Sequence, residues 1–231
     1  MKIVVVSDVH GRNTWKTITR QNPDADLVLF IGDYIDSDEI EADIQLKNFI
    51  EIIEYKKANP GNTILLMGNH EMHYLPSYIM RAEKYVKFNE LQATEITSLL
   101  LNNKHHFRMA FQSGNFLFTH AGVTEVWLEK NGFNEDGDVV GFLNSLLELN
   151  PDAYQFVGND GYGGSVYSSP IWLRPPTLMK YGYKSDELVQ VVGHTKHGHV
   201  TINGNFIFTD SPASKEYLVL NNGIPVIERA D

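Results

Sequence analysis

The chain has 231 residues, 42% of them hydrophobic and 21% charged, which is enough apolar material for one globular core. It contains no cysteine, so disulfides, thiolate metal sites and cysteine nucleophiles are excluded, and any metal must be held by nitrogen and oxygen. A formal net charge of -10 argues against broad contact with nucleic acid or anionic membrane. No apolar run reaches the ~18 residues of a membrane span, and the apolar core of "MKIVVVSDVHG" is too short for a secretory leader. The expectation is a soluble, cytoplasmic protein.

In chain order, "KIVVVS" (2–7) and "DLVLFIG" (26–32) are short continuous apolar runs rich in β-branched residues, the pattern of strands covered on both faces. The stretch 13–20 between them offers a short helix, giving a strand, helix, strand unit. From 38 to 57, Ile40, Ile44, Phe49, Ile50 and Ile53 recur at helical spacing, with acids early and lysines late. "ANPG" stops that helix, and "NTILLMG" (62–68) predicts a third buried strand. Residues 73–104 read as helical, so a helical insert is expected at about 72–105.

The second half changes character. "NFLFTHAG" (115–122) is a strand, 124–149 reads as helix around "NGFNEDGD", and 150–187 reads as a long ordered loop. "LVQVVGHT" (188–195), "HVTINGNFIFTD" and "EYLVLNNGIPVIE" follow as strands. Asn203-Gly204 predicts a type I′ hairpin, and Asn222-Gly223 suggests another. Without a linker-like break or an internal repeat, residues 1–231 are expected to form a single α/β domain on two packed sheets.

Chemistry collects where the apolar runs end. They deliver Asp8 and His10, Asp33 and Asp36, Asn69 and His70, His120, and His194. Loops at the carboxyl ends of strands are where α/β sheets build ligand sites. One such Asp is usually a turn residue. Five loops supplying Asp, Asn or His would leave buried polar groups uncompensated unless a cation sits among them, and a divalent metal is the simplest such cation.

The segments "DVHG" (8–11), "GDYID" (32–36), "GNHE" (68–71), "THAG" (119–122) and "GHT" (193–195) resemble the signature of the calcineurin-like metallophosphoesterases. Their style is nearest the phosphoprotein phosphatase and diadenosine tetraphosphatase branch. The resemblance implies a four-layer α/β/β/α sandwich, two packed mixed β-sheets flanked by helices. It further implies two divalent transition metal ions, one held by Asp8, His10 and Asp33 and the other by Asp33, Asn69, His120 and His194, with Asp33 bridging. Such mixed ligands suit manganese, iron or zinc rather than magnesium, and manganese is taken first. In the family a metal-bridging hydroxide attacks phosphorus in line, while the residue matching His70, partnered by the one matching Asp36, protonates the leaving oxygen. Glu71 is read as structural, bonded to backbone at the start of the next helix.

These features imply a metal-dependent phosphoric ester hydrolase acting on phosphomonoesters of protein or small molecules, in the manner of serine/threonine phosphatases. The alternative is a nucleotide-directed hydrolase, with the aromatic stretch 154–176 as a stacking wall. A minor alternative is a non-catalytic scaffold. Ser37 and Met67 stand where the phosphoprotein phosphatases usually carry arginines. Arg12 and Arg174 are the candidates to replace that phosphate clamp. In "GHTKHGHV", Lys196 stands where many diesterases have a second histidine, so His197 and His199 are read as loop and strand residues.

Overall fold

A computed structural model describes residues 1–76 and 88–231. The apolar runs become two mixed sheets. The first has the order β11-β10-β1-β2-β3-β4, with β1 (Lys2–Val6), β2 (Leu27–Phe30) and β3 (Thr63–Leu66) parallel, beside β4 (Phe107–Arg108), β10 (Glu216–Asn221) and β11 (Ile224–Arg229). The second has the order β5-β6-β7-β9-β8, with β6 (Phe116–Thr119), β7 (Val189–Val192) and β9 (Phe206–Phe208) parallel between β5 (Ala110–Ser113) and β8 (Thr201–Asn203).

Side-chain alternation along the strands sets the layers. On β1, Ile3 and Val5 face inward and pack with Phe118, Val191 and Ile207 of the second sheet. Val4 and Val6 face outward and pack with Trp15 and Ile18 of α1 (Thr14–Gln21) and Phe49 and Ile52 of α2 (Ala42–Ala58). On the far side, Val192, Phe206 and Phe208 pack against Leu178 of a later helix, Pro175–Tyr181. The expected α/β/β/α sandwich is therefore observed. Among the described residues no helix is long and apolar enough to cross a membrane.

Several expectations are corrected. Helix α2 starts at Ala42 rather than 38, and its buried face is Gln45, Leu46, Asn48, Phe49, Ile52 and Ile53, while Ile44 and Ile50 are exposed. The reason is polar: Gln45 bonds Ser37 N (2.8 Å) and O (3.0 Å). Asn48 donates to Arg12 O (2.9 Å) and accepts from Trp15 Nε1 (2.8 Å). Two buried amides thus pin the loops after β1 and β2, and a purely apolar face could not have done so.

Of the helical expectation for 73–104, the segment 77–87 lies outside the described residues; beyond the short α3 (Asn69–Met72), helix is found at α4 (Ala93–Asn102) and a 3₁₀ turn at Lys104–His106. The 124–149 stretch divides into α5 (Glu125–Lys130) and α6 (Val139–Leu149) around the expected loop. The stretch 150–187 is not all loop: it holds a 3₁₀ turn, Pro151–Gln155, and α7 (Pro175–Tyr181). Pro175 and Pro176 open this helix, a place proline fits, because the N–H groups of a first helical turn have no partner within the helix. The hairpins also differ in type. At Asn222-Gly223 both residues take positive φ (52° and 78°), the I′ pattern. Between Asn203 and Phe206 the turn residues are Gly204 and Asn205, and Gly204 alone has positive φ (57°), the II′ pattern.

Candidate metal centre

The carboxyl ends of two parallel triplets, β1-β2-β3 and β6-β7-β9, meet at one edge of the sandwich. Asp8, Asp33, Asn69, His120 and His194 leave five of these ends, and all but His194 are buried. Backbone bonds tie the loops together: His10 N donates to Asp33 O (2.8 Å) and Gly193 N to His120 O (2.9 Å). The sheets are joined by His194 N donating to Asp8 Oδ1 (2.9 Å).

Turning the side chains inward requires unusual backbone. Among the described residues eight non-glycines take positive φ, and five are Asp8 (30°), His10 (41°), Asp33 (52°), Asp36 (65°) and His194 (64°). Such conformations cost about 1–3 kcal/mol each and persist where surrounding structure over-determines them. The glycines of "GNH" and "GHT" serve close approach: a Cβ on Gly68 would collide with the Asp33 carboxylate, and one on Gly193 with that of Asp8.

Asp33 lies at the centre, 2% exposed. Its Oδ2 is 3.5 Å from His120 Nε2, 3.7 Å from His10 Nε2 and 3.9 Å from His70 Nε2. Asn69 Oδ1 lies 3.1 Å from His120 Nε2 and 2.9 Å from His194 Nδ1. Burial alone would push Asp33 up, but His120, His70 and His10 hold it well below the ordinary carboxylate range. Burial opposes charge on His120, yet Asp33 outweighs it and pushes its pKa up to about 9. Asp8 goes the other way, pushed up to about 6 mainly by burial.

Ring orientation tests whether these residues fit a metal. His10 Nδ1 and His120 Nδ1 must donate, because their partners are the carbonyl oxygens of Ile35 (2.7 Å) and Ile31 (2.8 Å). Neutral rings then turn Nε2 lone pairs toward the Asp33 carboxylate, an opposition that only added protons or an intervening cation relieves. His194 Nε2 is buried with no hydrogen-bond partner. Imidazole, carboxylate and carboxamide donors in this arrangement fit a divalent transition metal. Asp33, His120 and His194 present donor atoms within 4.8 Å of one another, as do His10, Asp33 and His70. Asp8, in contrast, turns its carboxylate to His194 N and the Ser7 hydroxyl.

A family profile described as calcineurin-like phosphoesterase matches residues 1–227. The chain belongs to that family. The phosphoesterase is similar in structure to a cold-active protein tyrosine phosphatase, at 19% identity and a TM-score of 0.64, over 100% of this chain and 76% of the other. A protein serine/threonine phosphatase from Saccharomyces cerevisiae with similarity to human phosphatase PP5 gives 14% identity and a TM-score of 0.59, over 99% and 79% of the chains. A metallophosphoesterase from Sphaerobacter thermophilus gives 10% identity and 0.51, over 100% and 89%. No curated protein matched by sequence. At these identities the structural likeness shows the fold. The family implies divalent metal ions and phosphoester hydrolysis.

Above the phosphoesterase's ligand set opens a cavity of about 510 Å³, whose wall includes Arg12, Trp172, Arg174 and Lys196. Arg174 donates through Nε to Tyr162 O (2.8 Å) and through Nη1 to Thr195 Oγ1 (3.0 Å), which braces the loop carrying His194. Arg12 spends Nη2 on Glu39 (2.9 Å), while its Nη1 is buried without a partner. His70 Nδ1 meets Asp36 Oδ2 at 3.0 Å. Burial opposes charge on His70, but Asp33 and Asp36 push its pKa up to about 9. His197 stacks on Phe208 and His199 pairs with Glu216, both away from the ligand set.

Two features lay outside the sequence reading. Asp210 is buried beyond the end of β9 and lines the same cavity; burial, then Asp8 and Asp33, push it up to about 8. The signal was present, since "FIFTD" ends an apolar strand on an acid like the others. The second is the reach of Glu71. Its carboxylate accepts from Gly68 N (2.9 Å), Asp33 N (2.9 Å) and Tyr34 N (2.7 Å), so it closes α3 and holds the β2 loop. Glu71→Gln puts an amide nitrogen against a backbone N–H and is expected to destabilise the fold by about 2–4 kcal/mol in urea denaturation. An unchanged midpoint would show that these contacts do not hold the loop.

Proposed function

We propose that this phosphoesterase hydrolyses phosphomonoesters, on protein or small molecules, with manganese as the first metal to test. The observation that carries the reading is the cavity over the ligand set, where Arg12, Arg174 and Lys196 stand beside the acids Asp36, Asp38, Glu39 and Asp210. Arg12 is paired with Glu39, which leaves Arg174 and Lys196 to meet a monoester dianion, a species that carries more charge than a diester. Asp8, His10 and Asp33 would hold one ion, and Asp33, Asn69, His120 and His194 the other. Bound divalent cations supply Lewis-acid polarisation of phosphoryl oxygens and a lowered pKa for water. The remaining work falls to side chains. His70, its Nδ1 fixed by Asp36 and its Nε2 turned toward Asp33, delivers a proton to the departing oxygen. Arg174 orients the phosphate, held rigid by Tyr162 and Thr195.

The test compares turnover of phosphoserine and phosphotyrosine peptides, p-nitrophenyl phosphate, its bis ester and diadenosine tetraphosphate with manganese present. Monoesters should lead. Trp172 on the cavity wall gives a nucleotide base a surface to stack on, and a preference for the dinucleotide by orders of magnitude would replace the monoester reading. Arg174→Ala should raise KM about 10- to 100-fold, the worth of one charge-assisted contact, with a smaller change in kcat. An unchanged KM would remove Arg174 from substrate binding.

A further inference from the structure

His70 and Tyr74 are four residues apart, so they face the same side of the turn that begins at α3, and both reach Asp36. Tyr74 is fully buried. Its hydroxyl donates to Asp36 Oδ1 at 2.5 Å, while His70 Nδ1 meets Asp36 Oδ2 at 3.0 Å. Each carboxylate oxygen therefore has its own partner. Behind the phenol, Asn89 N donates to the Tyr74 hydroxyl oxygen at 2.9 Å, which leaves the hydroxyl proton no direction except Asp36. The ring lies against Phe88 with centroids 4.7 Å apart, and Thr97 Oγ1 donates to Tyr74 O at 2.6 Å. Asp36 itself sits at φ 65°, a conformation that needs external support.

We propose that Tyr74 is a positioning residue for the His70–Asp36 pair: it fixes the Asp36 carboxylate so that one oxygen stays aimed at His70 Nδ1, which keeps Nε2 facing the reacting phosphate. The proposal rests on the reading of His70 as proton donor. A hydroxyl that merely filled space would not need an N–H behind it and a carboxylate oxygen ahead of it. Burial and the neighbouring Asp36 push the phenol well above its ordinary pKa, so it remains a donor through the working range.

The experiment uses the manganese-loaded protein and two leaving groups. An alkyl phosphate needs its departing oxygen protonated, whereas p-nitrophenolate leaves without help. Tyr74→Phe should lower kcat about tenfold for β-glycerophosphate and less than about twofold for p-nitrophenyl phosphate, with KM and metal content unchanged. Added to His70→Asn, it should cost nothing more, because it acts through the missing ring. Independently of activity, ¹⁵N-histidine spectra of chelator-treated protein recorded above pH 9, where the His70 ring is neutral, should show it protonated at Nδ1 in the wild type and as mixed tautomers in Tyr74→Phe. If that variant does not fold, 3-fluorotyrosine at position 74 keeps the shape and should change only the alkyl phosphate rate. Equal losses on both substrates, or losses that add to those of His70→Asn, would overturn the proposal. Absence of leaving-group dependence in His70→Asn itself would instead remove the proton-donor reading on which it stands.

Discussion

Asp33→Asn is expected to recover no transition metal after dialysis against manganese and to turn over p-nitrophenyl phosphate at background. Loss of even an outer partner of a metal ligand costs about 10- to 100-fold in affinity or activity, so removing the central carboxylate should cost more than about 10³-fold. The geometry sets that rank. Among the described residues, Asp33 alone belongs both to the group with His10 and His70 and to the group with His120 and His194. It is 2% exposed and has three imidazole nitrogens within 3.9 Å. The amide has the same shape and can still accept from His70 N, which reaches Asp33 Oδ1 at 3.2 Å, so circular dichroism should report a folded protein. Elemental analysis decides the matter: a variant that keeps its metal and its turnover would leave the proposed centre without its bridge.

His70→Asn should behave in the opposite way toward metal. It is expected to load like the wild type and to lose about 10²- to 10⁴-fold in kcat on alkyl phosphates, the range for removal of a general acid. Asparagine is chosen because the backbone N–H to Asp33 is retained while the ring nitrogen that would carry the proton is gone. Loss of metal in this variant would instead enrol His70 among the ligands. The spacing of His10, Asp33 and His70 within 4.8 Å gives that outcome a geometric basis.

The strands that deliver the site were legible because burial on both faces leaves an unbroken apolar run, and each run ended on a polar residue that a turn alone did not explain. The two Asn-Gly pairs marked the β8-β9 and β10-β11 hairpins. Less legible were the features that depend on polar contacts between distant segments. The buried face of α2 is set by Gln45 and Asn48, whose partners lie in other loops, so apolar spacing pointed to Ile44 and Ile50 instead. Tyr74 read as one aromatic in a helical stretch, because its meaning lies in a carboxylate 38 residues away. Helix α7 was hidden by its two leading prolines. The turn of Asp8 toward His194 N is likewise a contact between sheets that no local pattern records.

The left-handed bends at Asp8, His10, Asp33, Asp36 and His194 have a consequence for how the protein would respond to being made tougher. Glycine relaxes in that region of backbone space, so the substitutions most favourable to chain geometry are the ones that delete the donors. Directed evolution for heat tolerance, with no demand for turnover, would erode this chain first at the ends of its strands and would yield a sturdy sandwich with an inert rim.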